Sequence, residues 1–221
     1  MLVVDPHLAP NFDRSALVTI DVQTDTLDGQ PLEIPGTSAA VPAIRELADA
    51  FRAAGRPIVH IVRLYRADGS NAEPLRKELV SGPTPLLRPG TPGRLLALGV
   101  LRNEVEFDDE LLLAGGIQSV GPQEDLLYKP RWGAFFQTAL DEHLKHRDVD
   151  TIVFAGCNFP NCPRTSIYEA SERDYRIVVA IDAMSGLYEK ALTELAGIGA
   201  SLLSGAEVAD ALHAVPAESQ R

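Results

Sequence analysis

The sequence predicts an α/β fold of three layers, with a mostly parallel sheet of six strands between two layers of helices. Two observations lead to this prediction. Short apolar runs alternate with helical patterns along most of the chain, which is typical of parallel βαβ units. The 221 residues are 45% hydrophobic and 23% charged, which suffices for a single domain over residues 1–221 with a substantial core.

The elements follow from apolar runs and helical periodicity. Strands are expected at 16–21, 58–64, 126–129, 151–155, 176–183 and 200–204. Helices are expected from Thr37 to a stop at Gly55 and at 138–146, 163–173, 188–197 and 205–213. In the first helix, Ile44, Leu47 and Phe51 repeat at the spacing of one helical face.

The segment at about 66–125 is an irregular insertion within the domain. It contains GPTPLLRPGTPG (82–93), which is dense in proline and glycine. Long irregular insertions in compact domains are often lids or binding loops. A passive surface loop explains the pattern equally well.

Charge and hydropathy restrict the partners. The formal net charge of −11 argues against nucleic acid or anionic lipid, because phosphate contacts need clustered lysine and arginine. The longest apolar runs are far too short to span a bilayer, and MLVVDPHLAPNFDRS at the start lacks the apolar core of a signal sequence. We therefore expect a cytoplasmic protein that acts on a small molecule, with no nucleic-acid or membrane partner.

Three reactive side chains follow strands of the predicted sheet. Asp21 ends the first strand, Lys129 ends the 126–129 strand, and Cys162 follows the turn after the 151–155 strand. Ligands of open parallel sheets bind beyond the carboxyl ends of the strands. We therefore expect these residues to converge at one edge of the sheet.

Cys162 is the candidate nucleophile. Pro163 fits the first position of a helix, which would make Cys162 the N-cap. A helix N-terminus favours negative charge, so the thiol is expected to ionise more easily, and the turn can aim backbone N–H groups at a carbonyl under attack. On position alone, a packed core thiol explains Cys162 equally well, and for Cys157 the core interpretation is favoured.

Asp21 and Lys129 have complementary roles in this hypothesis. Asp21 can accept the thiol proton and pass it to a leaving amine, although a loop hydrogen-bond acceptor is the alternative. The Lys129 ammonium could hold the carboxylate and the thiolate in their charged forms and so lower the thiol pKa. Most lysines are solvated surface groups, so Lys129 would not be singled out by itself.

Three ordered segments resemble the isochorismatase-like cysteine hydrolases, the superfamily of N-carbamoylsarcosine amidohydrolases, nicotinamidases and isochorismatases. They are LVTIDVQTD (17–25), YKPRWGAFFQTALDEHL (128–144) and the stretch from VDTIVFAGCNFPNCP to AIDAMSG (149–186). The resemblance covers most of the chain and implies a Rossmann-like sheet. It also implies that Asp21, Lys129 and Cys162 form a catalytic triad.

Further site residues are implied by the resemblance or by placement near the sheet edge. The family's oxyanion site would use the backbone N–H groups of Asn158 and Cys162, with a cis peptide between Cys157 and Asn158. The candidate substrate-binding residues are Gln23, Arg63, Tyr65, Arg131, Trp132 and Phe159. The family also implies a homodimer or homotetramer.

Two departures from the family bear on the chemistry. Nicotinamidases place an aspartate and two histidines after the second strand, whereas RLYRADGSNAEP (63–74) has no histidine, so neither a metal nor another cofactor is expected. The turn also carries Phe159 and Pro160, which are bulkier than the family's usual residues. The substrate of any one relative is therefore not carried over.

The leading hypothesis is a cysteine-dependent hydrolase of a C–N bond in a small amide, carbamoyl or ureido compound, acting through a covalent acyl-enzyme. One alternative is isochorismatase-type vinyl ether hydrolysis led by Asp21, which can dispense with the cysteine. Another is a non-catalytic scaffold of the same fold. A redox-sensor role is weaker, because no resolving cysteine is suitably spaced.

Overall fold

A seven-stranded sheet forms the centre of the computed structural model, which describes residues 5–215. The strands lie in the order β3-β4-β2-β1-β5-β6-β7. Their bounds are β1 Ser15–Ile20, β2 Ile58–Val62, β3 Ile117–Gly121, β4 Glu124–Tyr128, β5 Thr151–Gly156, β6 Arg176–Met184 and β7 Ser201–Leu203. Adjacent strands are parallel, except that β3 pairs with β4 antiparallel at one edge.

Helices cover both faces of this sheet. They are α1 Thr37–Ala53, α2 Lys77–Val80, α3 Asp109–Leu113, α4 Leu140–His146, α5 Cys162–Ser171, α6 Glu189–Gly197 and α7 Gly205–His213. One core cluster joins the sheet to α1, α3 and α7, and a second joins its other face to α4, α5 and α6. The predicted three-layer α/β/α fold is therefore confirmed.

The sheet has one strand more than predicted. Strand β3 has the sequence IQSVG and is only partly buried along its length, so its pattern does not stand out in the irregular segment. Strand β4 begins at Glu124 rather than at 126, because Glu124 and Asp125 are buried by pairing with basic side chains. The end of the predicted 66–125 insertion therefore belongs to the sheet.

The rest of the insertion crosses the carboxyl end of the sheet. It contains a 3-10 turn at Pro74–Arg76, helix α2, a second 3-10 turn at Pro92–Arg94 and helix α3. A small apolar cluster of Tyr65, Ala72, Val80 and Leu87 holds its first half together. Whether it moves as a lid stays a prediction.

Two further findings concern membrane spans and the amino-terminal segment. None of the helices within residues 5–215 has the length and apolar character needed to cross a membrane. The prediction of no signal sequence concerns residues 1–15, and the first four of these lie outside the described residues.

Glu124 is the centre of a buried ionic cluster between β2, β4 and α1. Its carboxylate accepts hydrogen bonds from Arg52 Nε at 2.9 Å and Nη2 at 2.5 Å, and from His60 Nε2 at 2.8 Å. Burial alone would raise the pKa of Glu124, but the hydrogen bonds from His60 and Arg52 outweigh it and lower the pKa to about 2. Burial lowers the pKa of His60, so this ring is neutral and Arg52 supplies the compensating charge.

We expect Glu124→Gln to destabilise the protein at pH 7 by about 3 kcal/mol, because it removes the buried carboxylate that pairs with Arg52 and leaves only the exposed Asp49 as a counterion. The folded-state pKa of Glu124 is depressed, so its contribution is complete above pH 4.5 and falls as the pH approaches 2. Denaturant unfolding of both proteins from pH 7 to pH 3 measures this. A difference in the free energy of unfolding that stays constant over this range would contradict the assignment.

Candidate active site

Asp21 lies directly after β1 in a conformation that only glycine adopts freely. Its φ is +55°, in the left-handed region that L-residues seldom occupy outside turns and functional sites. Three hydrogen bonds hold it there: its N–H donates to Ile61 O at 3.0 Å, and its carbonyl accepts from Thr26 Oγ1 at 3.0 Å and Cys157 Sγ at 3.0 Å. This backbone directs the carboxylate away from the strand ladder.

Lys129 follows β4 and is completely buried. Its Nζ lies 2.8 Å from Asp21 Oδ2 and 3.3 Å from the carbonyl oxygen of Arg131. Burial works against a charge on this ammonium, but Asp21 and Cys162 outweigh it and raise the pKa of Lys129. Lys129 is therefore a permanent cation against the Asp21 carboxylate.

Cys162 is the first residue of α5, and Asn161 is the N-cap. The prediction that Cys162 itself caps the helix is wrong by one position, because Pro163 occupies the second helical residue rather than the first. Cys162 is 8% exposed. Burial and the Asp21 charge raise the pKa of its thiol to about 11, while Lys129 acts in the opposite direction.

The expectation of an easily ionised thiol is therefore wrong for the free protein. The predicted effect of Lys129 is present, but the loss of water around the sulfur and the adjacent carboxylate outweigh it. At pH 7 the thiol is therefore almost entirely protonated. A nucleophile in this state needs a base to remove its proton during the attack.

The Asp21 carboxylate has one oxygen free for that task. Oδ2 carries the ion pair with Lys129, whereas Oδ1 is buried and has no hydrogen-bond partner among the described residues. Both Asp21 and Lys129 shift the pKa of the Cys162 thiol, so the sulfur lies near this ion pair. The predicted convergence at one sheet edge is what the structure contains, and the catalytic roles stay predictions.

We expect alkylation of Cys162 by iodoacetamide to be slower at pH 7 than that of free glutathione. The rate should rise about tenfold per pH unit up to pH 9, because a raised pKa keeps the thiolate fraction far from saturation. Mass spectrometry of the Cys157→Ser protein isolates this thiol. A rate that levels off below pH 8 would contradict the raised pKa.

The turn between β5 and α5 contains Asn158 and ends at Cys162, and the role of these two residues as oxyanion donors stays a prediction. Gly156 opens the turn with a φ of +126°, and a Cβ there would lie 2.2 Å from Ile20 O, so only glycine fits. Phe159 N–H donates to Ser185 O at 2.8 Å. Within residues 5–215, the N–H groups of Asn158 and Cys162 find no acceptor, which leaves both available to a ligand.

The peptide between Cys157 and Asn158 is trans. Among the described residues the structure contains no cis peptide bond. The cis bond implied by the family resemblance is therefore wrong for this structure. The resemblance fixes the order of residues in the turn but not the isomer of each bond.

Gln23 and Arg63 are engaged with the backbone around the triad. Gln23 Nε2 donates to the carbonyl oxygens of Arg63 at 2.9 Å and Arg94 at 2.6 Å, and its Oε1 accepts from Arg63 N–H. Arg63 pairs with Glu73 and donates to the carbonyl oxygens of Lys129 at 3.0 Å and Arg131 at 2.9 Å. Both side chains hold the segments that position Lys129, and their predicted contact with substrate stays untested.

The other candidate binding residues differ in their surroundings. Tyr65 is buried, with its hydroxyl 3.3 Å from Arg63 Nε. Arg131 Nη1 donates to the carbonyl oxygens of Asn71 at 3.2 Å and Pro130 at 2.7 Å. Phe159 is buried against Tyr188, with ring centroids 5.7 Å apart.

Trp132 is partly buried and contacts Arg76, a residue that no sequence pattern singled out. Arg76 stacks over it, with the guanidinium carbon 5.8 Å from the ring centroid. Burial opposes the charge of Arg76, but Tyr65, Cys162, Asp21 and Glu73 raise its pKa. Arg76 stands in the irregular insertion, where no periodicity marks a residue that faces the triad.

The largest described cavity lies away from the triad, and the described side chains form no metal-binding group. A surface cavity of about 640 Å³ is lined by Thr24, Pro92 and residues between 95 and 107, and none of the triad residues borders it. No group of three or more histidine, cysteine, aspartate or glutamate side chains within residues 5–215 is placed to share a metal ion. The expectation of no metal stays a prediction.

Comparison with known proteins places the chain in a family. The model of the isochorismatase domain matches residues 15–211, and the chain belongs to this family. The structure of an isochorismatase family protein from Desulfovibrio vulgaris is similar, with a TM-score of 0.76, 32% identity, and coverage of 90% of this chain and 98% of the other.

Two relatives differ in what their names state. A maleamate amidohydrolase from Pseudomonas putida is 31% identical over 75% of this chain and 70% of its own. A probable inactive nicotinamidase from Arabidopsis thaliana is 28% identical over 79% and 81%. The predicted family is confirmed, and with it the prediction that the chain is a hydrolase of the isochorismatase-like class.

Proposed function

We propose that the protein hydrolyses a C–N bond of a small amide, carbamoyl or ureido compound through a thioester on Cys162. One observation carries the proposal. Asp21 pairs with Lys129 through one carboxylate oxygen, while its other oxygen is buried, has no hydrogen-bond partner within residues 5–215, and lies near a protonated thiol. That arrangement suits a base which takes a proton from sulfur and returns it to nitrogen.

The first half of the reaction transfers the acyl group to sulfur. Asp21 Oδ1 removes the thiol proton as Cys162 Sγ attacks the carbonyl carbon. The N–H groups of Asn158 and Cys162 stabilise the oxyanion that forms. Asp21 then gives its proton to the nitrogen as the C–N bond breaks, so the amine leaves neutral and the thioester remains.

The second half returns the enzyme to its starting state. Asp21 is again a carboxylate and removes a proton from the water that attacks the thioester. The acid product leaves, and the thiolate recovers its proton from Asp21. Lys129 keeps Asp21 charged between these transfers, because protonating Asp21 would leave a buried ammonium without a counterion.

Ammonium release tests this proposal. The substrates are maleamate, N-carbamoylglycine and nicotinamide, and isochorismate is assayed beside them for vinyl ether cleavage. We expect release from at least one of the first three. Cleavage of isochorismate without ammonium release from any of them would favour the ether hydrolase, and no turnover of all four would favour a scaffold.

The location and the assembly of the protein are also proposals. We propose that the protein is cytoplasmic and forms a homodimer or homotetramer. We also propose that it has no nucleic-acid or membrane partner. Light scattering coupled to size-exclusion chromatography measures the assembly. A mass of one 23.8 kDa chain would contradict it.

A further inference from the structure

Arg76 is a charged side chain beside the triad that lacks a close partner. It ends the 3-10 turn at Pro74–Arg76, and its side chain is 22% exposed. Its Nε lies 3.8 Å from Glu73 Oε1, which is longer than a hydrogen bond. Among residues 5–215 the guanidinium makes no hydrogen bond, so its fork of donors is available to a ligand.

The neighbouring Arg63, by contrast, has hydrogen-bond acceptors for its guanidinium. It donates to both carboxylate oxygens of Glu73, to two carbonyl oxygens and to the Tyr65 hydroxyl. Glu73 is therefore the counterion of Arg63. Arg76 contacts the same carboxylate only at long range and has no carboxylate of its own.

The side chains that form ion pairs beside the triad carry one positive charge in excess. Arg63, Arg76 and Lys129 supply three positive charges, and Asp21 and Glu73 supply two negative ones. This excess exists in a chain with a formal net charge of −11. A largely buried cation without a full partner costs free energy, which an anionic ligand would recover.

Two contacts connect Arg76 to the segment that carries Lys129. The guanidinium lies over the Trp132 ring, and the carbonyl oxygen of the preceding residue, Arg131, accepts a hydrogen bond from Lys129 Nζ. The Asp21 carboxylate and the Cys162 sulfur both influence the pKa of Arg76. Arg76 is therefore on the side of the site where the far end of a small substrate bound at Cys162 could lie.

We propose that Arg76 binds a carboxylate of the substrate, so that the enzyme prefers small amides or ureido compounds that are anions. This inference rests on the proposed hydrolase function. A guanidinium recognises a carboxylate through two parallel hydrogen bonds. The Trp132 ring fixes the plane of the guanidinium and so orients the substrate's second end.

Substrate pairs that differ in one charge test the proposal. Maleamate and N-carbamoylglycine are each compared with their methyl esters in wild type, Arg76→Gln and Arg76→Lys. We expect wild type to prefer the acids, and Arg76→Gln to lower kcat/KM for the acids about 10- to 100-fold, mainly through KM, with little change for the esters. Arg76→Lys should restore part of the loss.

Arg102→Gln is the matched control, because Arg102 is a largely exposed arginine paired with Asp49 on α1. It removes the same charge and should leave all four rates unchanged. An equal loss on acids and esters in Arg76→Gln, or a wild type without preference for the acids, would overturn the proposal. In that case, ammonium release from the methyl esters that depends on Cys162 would still support the proposed hydrolase function.

Binding without turnover separates the two claims. Calorimetry at low salt compares maleamate binding to Cys162→Ala and to the Cys162→Ala, Arg76→Gln double variant. We expect binding to weaken at least about tenfold when Arg76 is lost, and to weaken with added salt. If binding depends on Arg76 but the wild type has no amidase activity, the proposed reaction is refuted and the role of Arg76 is not. If the two variants bind maleamate equally, or neither binds it, the role of Arg76 is refuted.

Discussion

Cys162→Ala is expected to abolish C–N hydrolysis, lowering kcat/KM by a factor of about 10⁴ or more. The acyl group is carried by Sγ in the proposed reaction, and alanine offers no atom that can accept it. The change removes one atom from a residue that is 8% exposed, so the midpoint of thermal unfolding should move only slightly. Ammonium release and calorimetric unfolding measure the two effects.

The other cysteine provides the matched control. Cys157 is completely packed, and burial raises the pKa of its thiol to about 12. Its Sγ donates to Asp21 O at 3.0 Å, so Cys157→Ser keeps a donor for that carbonyl. We expect this variant to lose less than about tenfold in kcat/KM. Isochorismate cleavage that survives Cys162→Ala would favour the ether hydrolase led by Asp21, whereas ammonium release that survives it would contradict Cys162 as the nucleophile.

Asp21→Asn is the second change with a large expected effect. An amide can neither take the thiol proton nor return a proton to the leaving nitrogen, so kcat should fall about 10³- to 10⁴-fold. The change also leaves Lys129 as a buried cation without its carboxylate. We therefore expect a loss of about 3–5 kcal/mol in the free energy of unfolding.

A double variant separates catalysis from stability. Asp21→Asn combined with Lys129→Met removes both charges of the pair, so much of the stability should return. Activity should not return, because no base remains beside the thiol. Recovery of amidase activity in the double variant would contradict the role of Asp21 as the base.

The positions of the triad could be predicted because they depend on topology. Asp21 and Lys129 follow parallel strands, and Cys162 begins the helix after another, so the carboxyl edge of the sheet brings them together. The same edge was predicted from apolar runs alone. The apolar runs gave the shared edge, and the ordered resemblance to the family favoured these residues over a packed thiol and a surface lysine.

The ionisation of Cys162 could not be predicted, because it depends on burial and distance. A helix N-terminus suggests a lowered thiol pKa, whereas the sulfur is enclosed and Asp21 adds a like charge to the thiolate. The direction in which a side chain points also cannot be predicted from the sequence pattern. Gln23 and Arg63 were placed near the site correctly, but their hydrogen bonds run to the backbone.

Elements with weak patterns were missed or misplaced. Strand β3 is a half-exposed edge strand, and β4 begins with two acids that only their basic partners allow to be buried. Arg76 stands in a 3-10 turn of the insertion, where spacing carries no information on what a side chain faces. These features require tertiary contacts, which sequence periodicity does not contain.

The covalent intermediate is the most direct test of the mechanism. The enzyme is mixed with a hydrolysed amide such as maleamate, quenched in acid within milliseconds and digested, with hydroxylamine present in a parallel reaction. We predict an adduct of substrate minus ammonia on the Cys162 peptide, and a hydroxamate product in the parallel reaction. Ammonium release with neither adduct nor hydroxamate, or with the adduct on Cys157, would contradict Cys162 as the nucleophile.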